Sequence, residues 1–487
     1  MHSKVCRAAP AIVVIAAVSA HAADGQDPLP PLSTTNPVVI AQAPSPNPSN
    51  NTTGDLGARN APEPVSAPPR IGLFPQFGDT LVQYGIDFHG VILDHFFANP
   101  SAGVSTGHTS NMAQIDPAVD IDLERLIGLP GGNLHIRDTN YILRSDLPQI
   151  VNQTGGAITG YQTTPSVAKN LLSVLTYEQK LLGGRLSVEA GRTNVANYFF
   201  LPNSLDPFFY PSTTVVVDGD FNSPPFPVWG GRATYKLAPA WYFQVGAFED
   251  SFMRTATNGQ NFAVSKATGA QLLAEVGYRT DFTTAAYPSN FELTFDWNTR
   301  SVPGNVKGAP IPYSPRTGAR PYVGGGFIYA QGQQVVWRGA RQPYGPPPNI
   351  AVFGSFAASV DKPQPIDLDA LIGMNFTGLI PGRPFDALGV QTRYQRLSAV
   401  EAAFESKVAR LFAGPGPDQS RDAFAFELVA NVQLTPAVAI RPFVEYFVMP
   451  DAYYRGTVPG RPRSGFAAGL YASVAIGRLL GTSQKPF

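Results

Sequence analysis

The chain has 487 residues, enough for two or three soluble domains or for one large barrel. Charged residues make up 14% and aromatic residues 11% of it, whereas Gly and Pro each occur 47 times, a composition typical of strands and turns. The 35 basic and 35 acidic residues balance. This balance excludes nucleic acid as a predicted partner, because a basic surface is needed to neutralise phosphates.

Residues 1–22 are typical of a secretory signal peptide. Lys4 and Arg7 form a basic start, an apolar run follows, and an Ala-His-Ala cleavage motif lies at residues 20–22. The apolar run is shorter than the roughly 20 residues that cross a bilayer as a helix. The only cysteine, Cys6, lies in this segment, so we expect an exported chain without disulfides or cysteine-based metal sites.

Residues 23–70 differ in composition from the rest of the chain. From Asp24 to Arg70 there are eleven prolines and no Phe, Tyr or Trp. Such a segment buries too little apolar surface to offset the entropy lost on folding. We therefore predict a disordered periplasmic linker, with a tether to the cell wall or to a partner as the alternative.

From Ile71 onward, short segments alternate apolar and polar side chains. The clearest runs from Phe291 to Asn298, with large apolar side chains at odd positions and polar ones at even positions. A period of two is that of a β-strand with one apolar and one polar face. Further segments lie at residues 229–237, 271–279, 424–433, 438–446 and 466–476. We expect the last strand to end near Leu480.

Alternation also occurs in soluble sandwiches, but three other features indicate a membrane barrel. Many segments contain about ten residues, the length needed to cross the hydrocarbon layer, and the signal peptide predicts export. Aromatic clusters at segment ends suit an interfacial girdle; they lie at residues 198–200, 208–210, 241–243 and 453–454. At roughly 25 residues per strand and turn, residues 71–487 predict an all-β, antiparallel transmembrane barrel of about 16 strands.

A closed barrel of this size encloses an aqueous channel unless loops fill it. An Arg or Lys facing lipid at mid-membrane costs about 2 to 4 kcal/mol, so we expect the polar faces to line the channel. The inward polar residues by this criterion are Arg137, Glu189, Arg232, Gln244, Glu275, Arg279, Glu292, Asp296, Arg393, Glu427, Arg441 and Glu445. The aromatic residues that share their parity are Tyr242, Phe248 and Phe443. For each residue, the alternative to a constriction is a solvated wall whose charges pair with one another.

One motif suggests an enzyme. Residues 103–107 read Gly-Val-Ser-Thr-Gly and match the nucleophile elbow of serine hydrolases, with His135 later in the chain. An elbow requires a helix after the serine, whereas residues 108–111 are expected to continue as a polar loop. His89 and His95 are separated by roughly 20 Å of strand, too far to share a metal. We therefore predict no enzymatic activity, no cofactor and no metal.

Several stretches carry a family resemblance. The most distinctive is residues 119–132, which read VDIDLERLIGLPGG. Others lie at residues 84–88, 99–103, 177–180, 184–192, 229–246 and 434–450. Together they resemble the carbohydrate-selective porins of Gram-negative outer membranes, the OprB family. One departure concerns Arg192, which shares the outward parity of Val188 unless Gly191 forms a bulge.

The resemblance implies a sixteen-stranded barrel, surrounded by outer-membrane lipids, through which sugars pass by facilitated diffusion. The alternatives are a general porin or a channel for another small nutrient, an outer-membrane hydrolase, and a purely structural barrel. A monomer and a homotrimer are both compatible with the sequence.

Overall fold

The computed structural model describes residues 72–145, 170–201, 203, 205, 227–250, 269–299, 325–340, 342, 345–361, 364–451 and 460–485. The signal peptide and linker predicted for residues 1–70 lie outside the described residues. So do the aromatic clusters at residues 208–210 and 453–454. Within the described part of the chain, sixteen antiparallel strands close into one barrel.

The strands contain 8 to 15 residues each, and all but the shortest reach the roughly nine residues that a tilted strand needs to cross the hydrocarbon layer. They are β1 (Ile86–Asn99), β2 (His108–Asp122), β3 (Gly132–Ser145), β4 (Asn170–Leu181), β5 (Leu186–Thr193), β6 (Val228–Lys236), β7 (Trp241–Asp250), β8 (Gly269–Arg279), β9 (Ser289–Asn298), β10 (Gly325–Arg338), β11 (Asn349–Ser359), β12 (Ile366–Thr377), β13 (Ala387–Leu397), β14 (Asp422–Thr435), β15 (Val438–Val448) and β16 (Gly465–Ala475).

Helical segments lie between and beyond these strands. They are α1 (Pro75–Gln83), α2 (Leu123–Ile127), α3 (Ala399–Ala413) and α4 (Ile476–Leu480), with 3₁₀ turns at Leu182–Gly184 and Val195–Asn197. None of the helices in the described part of the chain is long and apolar enough to cross a membrane.

Each strand pairs with its neighbours in sequence, and β1 pairs with β16 to close the barrel. The predicted alternation is confirmed in β9, where Phe291 and Leu293 are each 50% exposed and Glu292 between them is 6% exposed. Large apolar side chains therefore face outward, and the polar face turns into the barrel. The prediction of an all-β antiparallel barrel of about 16 strands is confirmed.

The two ends of the barrel differ in their connections. Short turns at residues 182–185, 237–240 and 436–437 lie at one end, whereas β5 and β13, each followed by a longer connection in the sequence, end at the other. Short turns are the periplasmic ones in outer-membrane barrels. The described N- and C-terminal segments meet at this periplasmic end, where the amide of Leu73 donates to the carbonyl of Leu479 at 3.0 Å.

Two predicted element boundaries were wrong. The last strand ends at Ala475 and not near Leu480, because β15 begins at Val438, opposite Val474, and offers no partner beyond that point. Residues 476–480 turn into helix α4 instead. Residues 108–111, predicted as a loop, begin β2, because they pair with the upper end of β1 from Asn99 to Phe96.

Candidate functional site

The barrel interior is crossed by the chain that leaves β5. Residues 194–201 fold inward, and Tyr198, Phe199 and Phe200 are buried there. The Phe199 ring lies 6.2 Å from the Phe248 ring in an edge arrangement, and the Phe200 ring lies 5.6 Å from that of Phe327. The prediction that residues 198–200 belong to an interfacial girdle is therefore wrong, because they pack against inward-facing rings and not against lipid headgroups.

Amide side chains of the wall hold this inward segment, of which residues 194–201, 203 and 205 are described, in place. Gln244 and Gln331 donate to the carbonyls of Tyr198 and Leu201 at 3.2 and 2.8 Å, and Asn290 and Asn375 donate to the side chain and the carbonyl of Asn203 at 3.0 and 3.3 Å. The donors belong to β7, β9, β10 and β12, so the segment extends from β5 across the lumen. It therefore occupies part of the barrel interior beside these four strands.

The inward segment also contains a strained residue. Phe200 has a φ of 61°, a left-handed conformation that is rare for a bulky side chain. Such a conformation persists only where surrounding contacts determine it. The rings of Phe327 and Tyr329 contact Phe200 on two sides, which fixes the point where the segment turns.

At the point where the chain leaves β5, Glu189 on β5 and Arg232 on β6 contact Tyr198. The Tyr198 hydroxyl donates to Oε1 of Glu189 at 2.8 Å. The Arg232 guanidinium lies 3.3 Å from Oε2 of Glu189 and 4.5 Å from the centre of the Tyr198 ring. Glu189 and Arg232, both predicted to be inward, therefore pair with each other and hold the base of the segment.

A second network covers the adjoining wall from β7 to β9. Glu275 accepts hydrogen bonds from the Tyr242 hydroxyl at 3.0 Å and from Nε2 of Gln244 at 2.6 Å. Arg279 donates to Glu292 at 2.8 Å, and its guanidinium lies 5.6 Å from the centre of the Tyr242 ring. The structure thus brings together five of the residues that the alternation assigned to the inward face.

Other predicted inward residues lie beneath side chains and have little access to water. Arg393 and Asp369 are both 0% exposed, and Nε of Arg393 donates to Oδ2 of Asp369 at 2.9 Å. Asp296 and Arg137 are also buried. These residues have inward parity, but their charged groups belong to the packed interior and do not form an open channel surface.

On the wall from β13 to β16, the predicted inward carboxylates are buried as well. Gln391 donates to Glu427 at 2.8 Å, and Glu427 lies opposite Glu445 in the pairing of β14 with β15. Both carboxylates are buried. Phe443 and Phe248 are inward but buried as well, the former stacked 5.3 Å from the Tyr471 ring.

Four of the predicted residues retain partial access to the channel: Arg232, Tyr242, Arg279 and Arg441. The exposed fraction of the side chain is 13% for Arg232 and 30% for Arg279. Arg441 donates to Oδ1 of Asn431 at 2.8 Å on β14. Contact of these groups with a solute stays a prediction.

Arg192 keeps the outward parity of Val188. The pairings of β5 with β4 and β6 run through Gly191 without a register shift, so no bulge turns Arg192 inward. Its guanidinium lies 3.7 Å from Glu249 and 5.7 Å from the centre of the Trp229 ring. Arg192 is therefore not a channel residue.

The serine of the elbow-like motif lies in the connection between β1 and β2. Oγ of Ser105 is 2.8 Å from Nε2 of His108, and Oδ1 of Asn99 accepts from the amide of His108. Strand β2 begins at His108, whereas a nucleophile elbow is followed by a helix. The described contacts of His108 include no carboxylate that could complete a triad.

A network of charged side chains lies at the periplasmic end of β1–β4. Asp120 accepts from His135 at 2.7 Å and lies 3.1 Å from Nε2 of His89. Lys485, in the C-terminal segment, contacts Asp120 and lies 3.1 Å from Asp87. Burial alone would lower the pKa of Lys485, but the two carboxylates raise it above its ordinary value, so the lysine stays protonated at neutral pH.

Sequence reasoning missed several residues of the interior. Asn203 carried no periodic signal, because it lies in a loop. Gln331 and Asp369 do alternate with apolar neighbours in β10 and β12, and the same criterion could have found them. Helix α3 was also missed, although Ser398 and Glu401 have the spacing of a capping box, and Ser398 accepts from the Glu401 amide at 3.2 Å.

Comparisons with known proteins agree with this architecture. The model of the carbohydrate-selective porin family, OprB, matches residues 108–467. Porin B of Pseudomonas aeruginosa is 24% identical over 396 residues, which cover 76% of this chain and 84% of that protein.

Two solved structures share the fold. The high-pH structure of Pseudomonas putida OprB has a TM-score of 0.68 at 18% identity, covering 85% of this chain and 100% of that one. The low-pH structure of the same protein has a TM-score of 0.50 at 15% identity, covering 82% and 95%. Because the family model matches well over half of the chain, the protein belongs to the carbohydrate-selective porin family, OprB, of the Gram-negative outer membrane.

Proposed function

We propose that small sugars diffuse passively through this barrel and contact the partly exposed face formed by Arg232, Tyr242, Arg279 and Arg441. The observation that carries the proposal is the partial exposure of these four inward groups, of which Arg232 lies over the Tyr198 ring of the inward segment. Arg441 lies on β15, and the other three lie on β6–β8, across the barrel in strand order. A solute would therefore meet hydrogen-bond donors on two opposite walls.

The chemistry of this face suits a sugar. Guanidinium groups donate to hydroxyl oxygens, carboxylates accept from hydroxyl protons, and an aromatic ring packs against the C–H face of a pyranose. The cations are already paired with Glu189, Glu292 and Asn431, so their contacts with a sugar are weak and exchangeable. Weak binding is what passage by diffusion requires, because a tightly held solute would not leave.

Liposome swelling with matched sugars and amino acids tests the proposal. Tyr242→Ala should lower the swelling rate with sugars relative to amino acids of similar size. Tyr278→Ala, an outward tyrosine near the same end of the adjacent strand, is the control and should leave the ratio unchanged. Equal rates for sugars and amino acids in the wild type would indicate a general porin, and no swelling would indicate a structural barrel.

We further propose that the protein catalyses no reaction. Porins are channels, and the Ser105–His108 pair contacts no carboxylate among the described residues. Esterase activity that disappears in Ser105→Ala would contradict this proposal. Loss of sugar-dependent swelling in the same variant would instead assign Ser105 to permeation.

A further inference from the structure

A groove of about 500 Å³ lies on the outer surface of the barrel, across β12–β16. Outward side chains at one depth border it on five consecutive strands, since each pairs with the next: Ile372, Thr392, Phe426, Tyr446 and Phe466. Its volume falls within the roughly 300 to 1,000 Å³ that is typical of small-molecule sites. The groove is therefore large enough to hold part of a lipid.

The groove is deepest beside Thr392, because Thr392 is the shortest side chain of this row. Ile372 and Phe426 on either side of it are 60% and 47% exposed, whereas Thr392 is half-buried. The Thr392 hydroxyl donates to the carbonyl of Ala425 at 3.2 Å, so its polar atom is already bonded within the wall. The groove thus presents an apolar surface, which suits an acyl chain that has no hydrogen-bonding groups.

The groove extends from the middle of the membrane toward the extracellular end of the barrel. Thr392 is the sixth of the eleven residues of β13, whereas Phe466 is the second residue of β16. Strand β16 begins at the end opposite the short turns, which is the extracellular end in outer-membrane barrels. A lipid in this groove therefore belongs to the outer leaflet.

Aromatic and basic side chains continue the same outward face above the groove. Tyr394 and Phe424 pair across β13 and β14, and their rings lie 5.0 Å apart. Two residues further toward the extracellular end, Arg396 lies opposite Asp422. Aromatic rings are typical of the boundary between hydrocarbon and headgroups, so Arg396 lies at the depth of the headgroups.

The two arginines at this level can bind an anion. The side chains of Arg396 and Arg421 are 47% and 35% exposed. Arg421 donates to Asp367 at 2.6 Å. Nε of Arg396 lies 3.9 Å from Asp422, beyond hydrogen-bonding distance, and Oδ1 of Asp422 accepts instead from the Tyr394 hydroxyl at 2.6 Å. Arg396 therefore presents a guanidinium whose N–H groups match the oxygens of a phosphate.

The opposite wall lacks this combination. Outward side chains of β7–β9 are equally apolar, as in Phe243, Leu293 and Phe295, but the described residues at the extracellular ends of these strands include no Lys or Arg. Apolar side chains alone suit any acyl chain, whereas a basic group above them favours a lipid with an anionic headgroup. The outward face of β12–β16 combines both features.

We propose that the outward face of β12–β16 binds one lipid of the outer leaflet, with an acyl chain in the groove and a phosphate on Arg396. The lipid of that leaflet in Gram-negative bacteria is lipopolysaccharide, a phosphorylated glycolipid with several acyl chains. Its phosphates and its acyl chains meet at the depth where Tyr394 separates the groove from Arg396. The site lies outside the channel, so binding of the lipid does not depend on which solutes pass through the barrel.

Native mass spectrometry of the refolded, lipid-free protein with added lipid A tests the site. We expect one bound lipid A per wild-type chain, and a bound fraction that falls by roughly tenfold in Arg396→Gln, because a charged hydrogen-bond donor is lost. Arg338→Gln is the matched control and should bind like the wild type, since Arg338 is an exposed arginine at the periplasmic end of β10. No bound lipid A in the wild type, or equal binding by Arg396→Gln, would overturn the proposal.

A variant that fills the groove provides the second measurement. Thr392→Phe places a ring where the acyl chain would lie and should lower the bound fraction, whereas Ala274→Phe on the outward face of β8 should not. Heat-modifiable gel mobility reports whether each variant has folded. Wild-type binding of lipid A by folded Thr392→Phe would contradict the groove. Binding of phosphatidylglycerol as strong as that of lipid A would overturn the assignment to the glycolipid.

Discussion

The strand wall and the inward segment at residues 194–205 contact each other but acquire their conformations in different ways. The wall follows from local alternation and from the ladder between strands that are neighbours in sequence. The segment is fixed by side chains that lie far away in sequence, including Asn375, whose partner Asn203 is 172 residues earlier. We therefore expect the fold of the wall to tolerate single substitutions in loops, whereas the conformation of the segment depends on a few amide side chains.

The largest expected effect is on a buried ion pair of the wall. Arg393→Ala leaves the fully buried Asp369 without its guanidinium, and loss of one partner of a buried pair typically costs about 3 to 5 kcal/mol. Urea titration in lipid vesicles, followed by tryptophan fluorescence, should show this loss in unfolding free energy. A variant as stable as the wild type would show that other groups stabilise Asp369.

A charge on the outer face should have the next largest effect. Leu293→Arg and Leu428→Arg place a cation in hydrocarbon, at a cost of about 2 to 4 kcal/mol near the midplane. Folding, measured by heat-modifiable gel mobility, should weaken more than conductance changes. Tolerance of Leu428→Arg together with instability of Arg441→Ala would reverse the assignment of faces in β14 and β15.

A change in the segment should affect permeation more than stability. Asn203→Leu removes the side-chain bonds to Asn290 and Gln331, each with a net value of about 0.5 to 1.5 kcal/mol. Release of the segment should raise and broaden the single-channel conductance while the barrel stays folded. Asn133→Leu is the matched control, because Asn133 bonds only wall and turn groups at the periplasmic end. Equal conductance in both variants would mean that the segment does not constrict the channel.

The smallest effect on stability is expected for a partly exposed cation. Arg441→Ala removes one bond to Asn431 and should leave the unfolding free energy within about 1 kcal/mol of the wild type. The reversal potential in a salt gradient should shift toward cation selectivity, because one fixed positive charge is lost. An unchanged reversal potential would place Arg441 outside the conducting path.

The strand wall and the inward segment also differ in how far the sequence predicts them. The parity of Glu292 and Leu293 follows from a two-residue period, so their faces were predictable without the structure. Parity gives the direction of a side chain but not what covers it, and for that reason Arg393 was predictable as inward but not as buried. Tyr198, Phe199 and Phe200 are consecutive and have no period, so their aromatic character alone suggested the membrane interface.

The closure of the barrel has a consequence for the order of assembly. Every pairing but one joins strands that are consecutive in the chain, and the exception brings Val91 beside Ala475. Hairpins can form locally, whereas this seam requires almost the entire chain to be present. Loop-closure entropy grows only with the logarithm of length, by about 0.6 kcal/mol per doubling.

The pairing of β1 with β16 is therefore limited less by its free-energy cost than by the time that passes before β16 is available. Until β16 has left the translocation machinery, the edge of β1 lacks its final partner, and exposed strand edges are sites of mispairing. The bonds of Thr482 to the carbonyl of Phe88 and of Lys485 to Asp87 come from residues that follow β16. These bonds hold β1 against the segment that follows β16, so a product truncated before β16 would lack both the seam and these bonds and would leave the edge of β1 exposed.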